Sequence, residues 1–474
     1  MRRGGAPQIP PPGNAPLVGR FSVVRRTGAL GARGPLRYPG LTMGQEKTPR
    51  FQAPRGTKDV LPEDEPYWRF VRQTGERIAR LFGYGYIETP MFEDAAVWLR
   101  TSGAGTEIVE KEMYVFEDRG GERLALRPET TASVCRAYIE HGMGSRPQPV
   151  RLYYFAQKFR YDRPQAGRYR QHTEFGIEAI GDGDALVDAE VIDLLAGFYD
   201  ALGLAGFSLQ LNSIGDPECR PAYIETLRSY YAGKLDRVCK DCRMRHEKNP
   251  MRLLDCKQEQ CQPVIGEAPV ISDRLCEPCA AHFAALRSYL DALERPYELD
   301  PRLVRGLDYY TRTVFEFQPP EEGSQSAVGG GGRYDGLIEL LGGRPTPGIG
   351  FGSGIERIIL NLKRQEAPVP TLEGLRVYVA HTPALSEAEG SEGAQAAALR
   401  LAQRLRQRDI GAVVGGGGRS LKAQLRHADA LGARYVAILG ERELAQGEVT
   451  LRDLRDGQQR TVSDEELTNE VAAS

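Results

Sequence analysis

The sequence predicts an α+β protein: an antiparallel-sheet domain with an inserted Cys-rich subdomain, followed by a small α/β domain. Three observations carry this. Strand-like runs at Arg151–Phe159, Tyr169–Ile180, Phe207–Asn212, Leu303–Leu307 and Thr313–Phe317 neighbour one another without a helix following each one, which favours antiparallel pairing. Between Gly215 and Pro301 the chain departs from that pattern, and six of the eight cysteines cluster there between Cys239 and Cys279. Beyond the polar, Pro-containing stretch Arg364–Glu373, strand and helix patterns alternate: Val377–Ala380, Ala394–Arg408, Ala412–Val414, Ser420–Leu431 and Tyr435–Leu439. The expected boundaries are 1–48 for an N-terminal extension, 49–370 for the sheet domain, 215–301 for its insertion and 374–474 for the terminal domain.

With 474 residues, 41% hydrophobic and 27% charged, the chain has ample material for several cores. No apolar run reaches the length of a membrane span. The formal net charge of -2 excludes a global field, so any nucleic-acid contact must come from local basic patches. Residues 1–48 are rich in Arg, Gly and Pro, with no acidic residue before Glu46, and are expected to be disordered. Met43 reads as the natural start; scarce Ser and the lack of an amphipathic period disfavour an organellar transit peptide. With no signal-peptide core, a cytoplasmic setting is expected.

The first helix is expected after Asp64, with Pro66 in its first turn, Trp68, Val71, Ile78, Leu81 and Phe82 inward, and Gly83 as the stop. A second should run from Asp184 to Leu202 with Leu186, Val187, Val191, Leu194, Leu195 and Phe198 inward. Ser386–Gly393 is a low-complexity loop.

The segment Phe159–Gly181 concentrates Arg160, Arg163, Arg168 and Arg170, a phosphate-binding element or a solvated basic hairpin. Leu303-Val-Arg-Gly-Leu-Asp-Tyr-Tyr-Thr311 brings Arg305 and Tyr310 to a strand junction, where Gly306 permits close backbone approach. Gly329-Gly-Gly-Gly-Arg-Tyr-Asp335 lacks a Walker lysine and reads as either a phosphate cradle or a flexible turn. Gly348-Ile-Gly-Phe-Gly-Ser-Gly-Ile-Glu-Arg357 reads as a strand whose glycine face lets a flat ring lie on the backbone, leading into a helix that carries Arg357.

Taken together these motifs resemble class II aminoacyl-tRNA synthetases from about Arg55 to the C-terminus. Ile87-Glu-Thr-Pro-Met-Phe-Glu93 is similar to motif 1, Phe159–Gln171 to motif 2 and Gly350–Arg357 to motif 3. Leu126-Arg-Pro-Glu-Thr-Thr-Ala132, Arg305-Gly-Leu-Asp-Tyr-Tyr310 and Gly331-Gly-Arg-Tyr-Asp335 resemble motifs particular to the histidine-specific family.

The resemblance implies a class II synthetase catalytic domain and an anticodon-binding domain in a homodimer, taking L-histidine, ATP with Mg²⁺ and histidine tRNA. It implies Arg305 and Arg160 as catalytic residues at the α-phosphate and carboxylate. Histidine would contact Glu129, Thr130, Thr131, Arg160, Glu174, Glu178, Arg305, Tyr309, Tyr310 and Tyr334. Within that set, Glu129 and Thr131 would hold the amino group and Glu178 and Tyr310 the imidazole. ATP would contact Arg160, Asp162, Arg168 and Arg357, and the tRNA acceptor end Arg163 and Gln165. Three positions depart from the family: Glu174 for a usual Gln, Asp162 for a usual Glu, and Thr130 for a common Gly. A non-catalytic regulatory relative would lack the terminal domain and degrade the Arg305–Tyr310 motif; both are intact.

The C-x-x-C pairs signal structural zinc, about one ion per chain. Cys239, Cys242, Cys276 and Cys279 are the expected ligands, with Cys256 or Cys261 able to replace one; Cys135 and Cys219 read as core residues. In the terminal domain Arg400, Arg404, Arg406, Arg408, Arg419, Lys422 and Arg426 form a basic patch suited to RNA, or a solvated face.

Overall fold

The computed structural model describes residues 51–101, 108–165, 167–320, 327–382, 393–416 and 418–473. The expected N-terminal disorder and nearly all of the Ser386–Gly393 loop lie outside them. Among the described residues there are sixteen strands. In chain order they are β1 (Gly85–Tyr86), β2 (Phe92–Asp94), β3 (Tyr114–Glu117), β4 (Arg123–Leu126), β5 (Val150–Phe159), β6 (Gln171–Ile180), β7 (Ser208–Ser213) and β8 (Glu298–Leu299). There follow β9 (Thr311–Gln318), β10 (Gly329–Arg333), β11 (Gly348–Gly354), β12 (Val377–His381), β13 (Ala412–Val414), β14 (Tyr435–Leu439), β15 (Glu448–Asp453) and β16 (Gln459–Ser463).

Eight of them form one sheet in the order β1-β5-β6-β11-β10-β9-β7-β8, antiparallel except at its two edges. Strand alternation divides its residues between two faces. Phe175, Ile177, Ile349, Phe351, Phe315, Phe317, Leu209 and Leu211 point one way, into a core closed by the helices Glu65–Leu81, Ala185–Ala201 and Ile355–Arg364. The other face carries Glu174 and Glu178, opposite Gly354 and Gly350 of β11. One face is therefore a hydrophobic anchor and the other is free for chemistry.

The first helix starts after Asp64 as expected, but that carboxylate pairs with Lys363 at 2.5 Å and Lys58 at 3.1 Å rather than capping. Val71 and Ile78 are buried while Leu81, at the helix end, is 71% exposed, a correction to the inward set. Asp184 does cap the helix Ala185–Ala201, accepting from Leu186 N at 2.9 Å. Leu186 itself faces outward, while Ala185 and Val187 on either side of it are buried in that core.

Two further expectations are corrected. Leu303–Leu307 is irregular, not a strand: Asn212 Nδ2 takes the Leu303 carbonyl at 2.9 Å in place of a ladder partner. Gly329–Arg333 is not a flexible turn but a buried strand between β9 and β11.

The terminal domain has the sheet β13-β12-β14-β15-β16, parallel through β14 and antiparallel beyond. The helices Ala394–Arg406 and Leu421–Ala430 match the expected alternation. The hairpin β15–β16 and the helix Asp464–Ala473 were not read from the sequence.

Candidate active site

The free face of the large sheet is floored by glycine. A Cβ at Gly350 would lie 2.0 Å from Glu178 Oε2, one at Gly352 2.1 Å from Glu174 Oε2, and one at Gly330 3.0 Å from Arg305 Nη1. Functional side chains thus lie across strands that can carry none of their own.

Glu178 is buried at the centre. Its two oxygens accept from Tyr154 at 3.1 Å and Tyr334 at 2.6 Å, and Thr131 is hydrogen-bonded to it as well. Burial pushes its pKa up to about 8, and these donors only partly offset that. Glu129 is buried too, capping the helix Thr131–Glu140 through Ala132 N at 3.1 Å and accepting from Tyr309 at 3.4 Å. Burial raises its pKa to about 7. Tyr309 and Tyr310 pack with ring centroids 4.8 Å apart, and Tyr334 closes edge-on against Tyr309. This pocket is a neutral-leaning acid pair walled by tyrosines, suited to a cationic or N–H-bearing ring. Thr130 Oγ1 is buried beside it with no partner among the described residues.

Next to this pocket opens a cavity of about 660 Å³, lined by Arg160, Arg168, Arg305 and Arg357 with Glu174, Glu316 and Glu356. Glu174 belongs to both spaces. It is ion-paired with buried Lys158, a residue the sequence reading did not single out. The negative charge at this position, where the resemblance leads one to expect Gln, is thus balanced by a buried cation. Arg305 Nη1 is paired with Glu316, and its Nε is buried without a partner among the described residues. Arg160 Nε donates to Pro128 O at 2.8 Å. Arg357 donates to Gly167 O at 2.8 Å and Ala327 O at 2.6 Å. Burial and the nearby Arg168 and Arg160 cations hold its pKa below the usual guanidinium value. Mutually repelling arginines around a void are the electrostatic signature of a polyphosphate site.

Asp162 pairs with Arg168 across the motif 2 loop and accepts from Arg163 N at 2.6 Å. Arg163 and Gln165 project to solvent at the loop tip, where Gln165 and Arg168 exchange backbone hydrogen bonds. The catalytic, histidine and ATP sets expected from the sequence thus converge, with the tRNA pair at their rim. Tyr154, Lys158, His172 and Glu316 were missed. All lie on the free face, but only cross-strand register brings them to Glu178, Glu174 and Arg305. Arg333 proves structural: it is fully buried, pairing with Asp188, which also holds His282.

The expected zinc ligands do not come together. Cys239 and Cys242 group with Cys256 and Cys261, whereas Cys276 and Cys279 group with Asp216 and Cys219. The helix Glu277–Ala292 explains the split. It packs Phe283, Leu286 and Leu290 into the sheet core and carries the last C-x-x-C away with it. Cys219 is therefore not a plain core residue. In the first group Cys239 and Cys256 sulfurs lie 3.8 Å apart and Cys242 and Cys261 3.9 Å. Tetrahedral Zn–S bonds of about 2.3 Å require edges of about 3.8 Å, so these four fit zinc. In the terminal domain, Arg404 pairs with Asp464 and Arg406 donates to Ala412 O; all seven expected basic residues are exposed, Lys422 and Arg426 on the helix Leu421–Ala430 and Arg419 just before it.

Comparison with known proteins agrees with this geometry. Residues 56–358 match the family described as Histidyl-tRNA synthetase, and residues 381–474 match the Anticodon binding domain. Histidine--tRNA ligase of Dehalococcoides mccartyi is 55% identical over 89% of this chain and 99% of its own length. That of Desulforamulus reducens is 48% identical over 87% and 97%. The crystal structure of apo S. aureus histidyl-tRNA synthetase superposes with a TM-score of 0.73 at 36% identity, covering 89% of this chain and 100% of that one. A glycine-floored sheet bearing a buried glutamate and four convergent arginines, the two domain matches and relatives at this identity have one reading: the chain belongs to the histidyl-tRNA synthetase family.

Proposed function

We propose how this chain's residues divide the work of an ATP-dependent ligase that charges tRNA with histidine, as family membership implies. The observation that carries the assignment is Glu178, buried and held from both sides by tyrosines, beside an arginine-lined cavity.

Histidine's imidazole docks on Glu178 and Tyr310, under Tyr334, while Glu129, Thr131 and Glu174 hold its ammonium. A side chain without ring N–H groups would offer nothing to buried Glu178 beyond the bonds it already has from Tyr154, Tyr334 and Thr131, which supports discrimination on the order of 10⁴-fold. The histidine carboxylate then meets the α-phosphate of ATP, two anions that repel. Arg305 and Arg160 neutralise both and fix the line of attack, and Arg168 and Arg357 hold the distal phosphates. No general base is needed, because the nucleophile is already ionised. ATP enters with Mg²⁺; Glu316 and Glu356, whose Oε2 is buried without a partner among the described residues, are the oxygen donors that suit it. That ion adds positive charge at the phosphates.

Histidyl-adenylate is then attacked by the tRNA terminal hydroxyl. Arg163 and Gln165 face the acceptor end, and Arg419, Lys422 and Arg426 offer the terminal domain's RNA surface. Exposed Phe92, Val115 and Phe116 on the sheet β2-β4-β3, with exposed Met91 just before it in motif 1, support a homodimer interface. A structural zinc on Cys239, Cys242, Cys256 and Cys261 staples the insertion. No described helix is long and apolar enough to cross a membrane, and a cytoplasmic enzyme is our reading.

Histidine-dependent pyrophosphate exchange tests the assignment. Arg305→Ala should lower it on the order of 10³-fold while weakening histidine binding far less, since the cation acts where charge develops. Exchange within about tenfold of wild type would remove Arg305 from this role.

A further inference from the structure

We propose that the neck of the insertion holds a second zinc-class ion, on Asp216, Cys219, Cys276 and Cys279, and that this ion steadies the Tyr310 side of the histidine pocket. One donor atom from each of the four residues lies within 4.8 Å of the others. Cys219 Sγ is 3.6 Å from Asp216 Oδ1, and Cys276 Sγ is 3.9 Å from it. A tetrahedral ion with Zn–S near 2.3 Å and Zn–O near 2.1 Å sets a sulfur–oxygen edge of about 3.6 Å. The donors are thus spaced as ligands of one small cation. All three thiols are free, so no disulfide accounts for their convergence.

The sequence supports the grouping in a way that cysteine spacing alone conceals. Asp216-x-x-Cys219 repeats the spacing of Cys276-x-x-Cys279 with a carboxylate in the first place. The first pair sits where the chain leaves β7 for the insertion, and the second opens the helix that brings it back. An ion here would clamp the two ends of the inserted segment together. Three thiolates and a carboxylate leave a divalent ion with net negative charge. Arg312 Nη2, 3.3 Å from Asp216 Oδ2, balances part of it.

The link to the pocket runs through Arg220, the residue after Cys219. Its guanidinium donates to Ile214 O at 3.1 Å, Gly215 O at 2.9 Å and Tyr310 O at 2.6 Å. Arg312 stitches the same loops: its N–H donates to Gly215 O at 2.7 Å, and its carbonyl accepts from Ile214 N at 2.7 Å. It does so with φ of +51°, a conformation that a non-glycine residue holds only where the surroundings enforce it. Arg220 is a positioning residue, and the ion fixes its backbone.

This inference rests on reading the cysteine clusters as zinc ligands, and the two sites are tested separately. Full-length protein, purified under reductant and exchanged into metal-free buffer, is analysed for zinc per chain. Two ions are expected. Cys256→Ser should remove the first and Cys276→Ser the second, each leaving one, while Asp216→Cys, which keeps four donors, should retain both. Cys276→Ser should also raise KM for histidine several-fold with KM for ATP unchanged, a split that general destabilisation does not produce. One zinc in wild type that Cys256→Ser abolishes overturns the neck site and leaves the first standing. No zinc in wild type overturns both. Two ions in wild type with both retained by Cys276→Ser also overturn the assignment. If Cys276→Ser does not fold, stepwise release from wild type by a thiol-blocking reagent decides, since a single release of one ion overturns the proposal.

Discussion

Tyr334 donates to Glu178 Oε2 at 2.6 Å while Tyr154 reaches Oε1 at 3.1 Å, so one carboxylate is gripped from both sides by buried rings. The grip does not overcome burial: the acid still holds its proton to about pH 8.

That proton makes stability depend on pH. Below about 4.5, the ordinary value, folded and unfolded chains both carry it; between there and about 8 only the folded chain does. Stability from Glu178 is therefore lost as pH rises through this window, by up to about 1.4 kcal/mol per unit. Thr131 and the two tyrosines temper the effect, while Glu129 adds to it. Glu178→Gln carries no such proton, so its thermal midpoint relative to wild type should climb from pH 5.5 to 8. A difference that stays flat with pH would refute the buried neutral acid.

Gly350 allows a sharper steric test. A methyl there meets Glu178 Oε2 at 2.0 Å and the Ile177 carbonyl at 2.4 Å, and the second is backbone that cannot swing away. Gly350→Ala should cut histidine-dependent exchange on the order of 100-fold. Gly336→Ala, with nothing within 4 Å and negative φ, should stay near wild type. Equal activities of the two variants would refute a glycine requirement.

Lys158 and Glu174 should behave as a unit. Lys158→Met leaves a buried carboxylate unpaired, at a cost of about 3–5 kcal/mol in stability. Adding Glu174→Gln removes the stranded charge and should recover most of that loss, with a large coupling energy in denaturant titrations of the four proteins. Additive losses would mean the pair is not coupled.

At the rim, Arg163→Ala and Gln165→Ala distinguish base reading from phosphate binding. On the proposed reading the motif 2 loop would face the acceptor end, where the resemblance to the histidine-specific family implies an extra 5′ guanosine. A reader of that base should lose its preference for it while adenylate formation stays normal. A phosphate contact should weaken every tRNA alike and flatten the salt dependence. If neither variant changes the ratio of charging with and without the guanosine, the loop does not read it.

The sequence was informative where chemistry is written in contiguous motifs. Arg160, Arg305 and Arg357 were recognisable because each lies in a short pattern, and Glu178 because the resemblance implied it. Lys158 and Glu316 were not, since each acts across a strand pairing that no local window contains. The zinc ligands failed for a related reason. C-x-x-C spacing shows which sulfurs are neighbours in the chain, but the hydrophobic face of Glu277–Ala292 decides which pairs meet. Asp216 was invisible because a carboxylate in a knuckle looks like any surface acid. Leu303–Leu307 misled because apolar alternation says nothing of a side chain that intercepts a carbonyl.

The paired glycine strands also limit how this pocket can change under selection. A Cβ at Gly350 or Gly352 strikes Glu178 or Glu174, and one at Gly331 strikes the β11 backbone. An inhibitor lying flat against that floor therefore faces a surface from which it cannot be expelled by adding a side chain, because the same atom would shut out histidine. Escape from such a compound would have to arise at the walls, among Tyr309, Tyr310 and Tyr334, or at the arginines of the cavity.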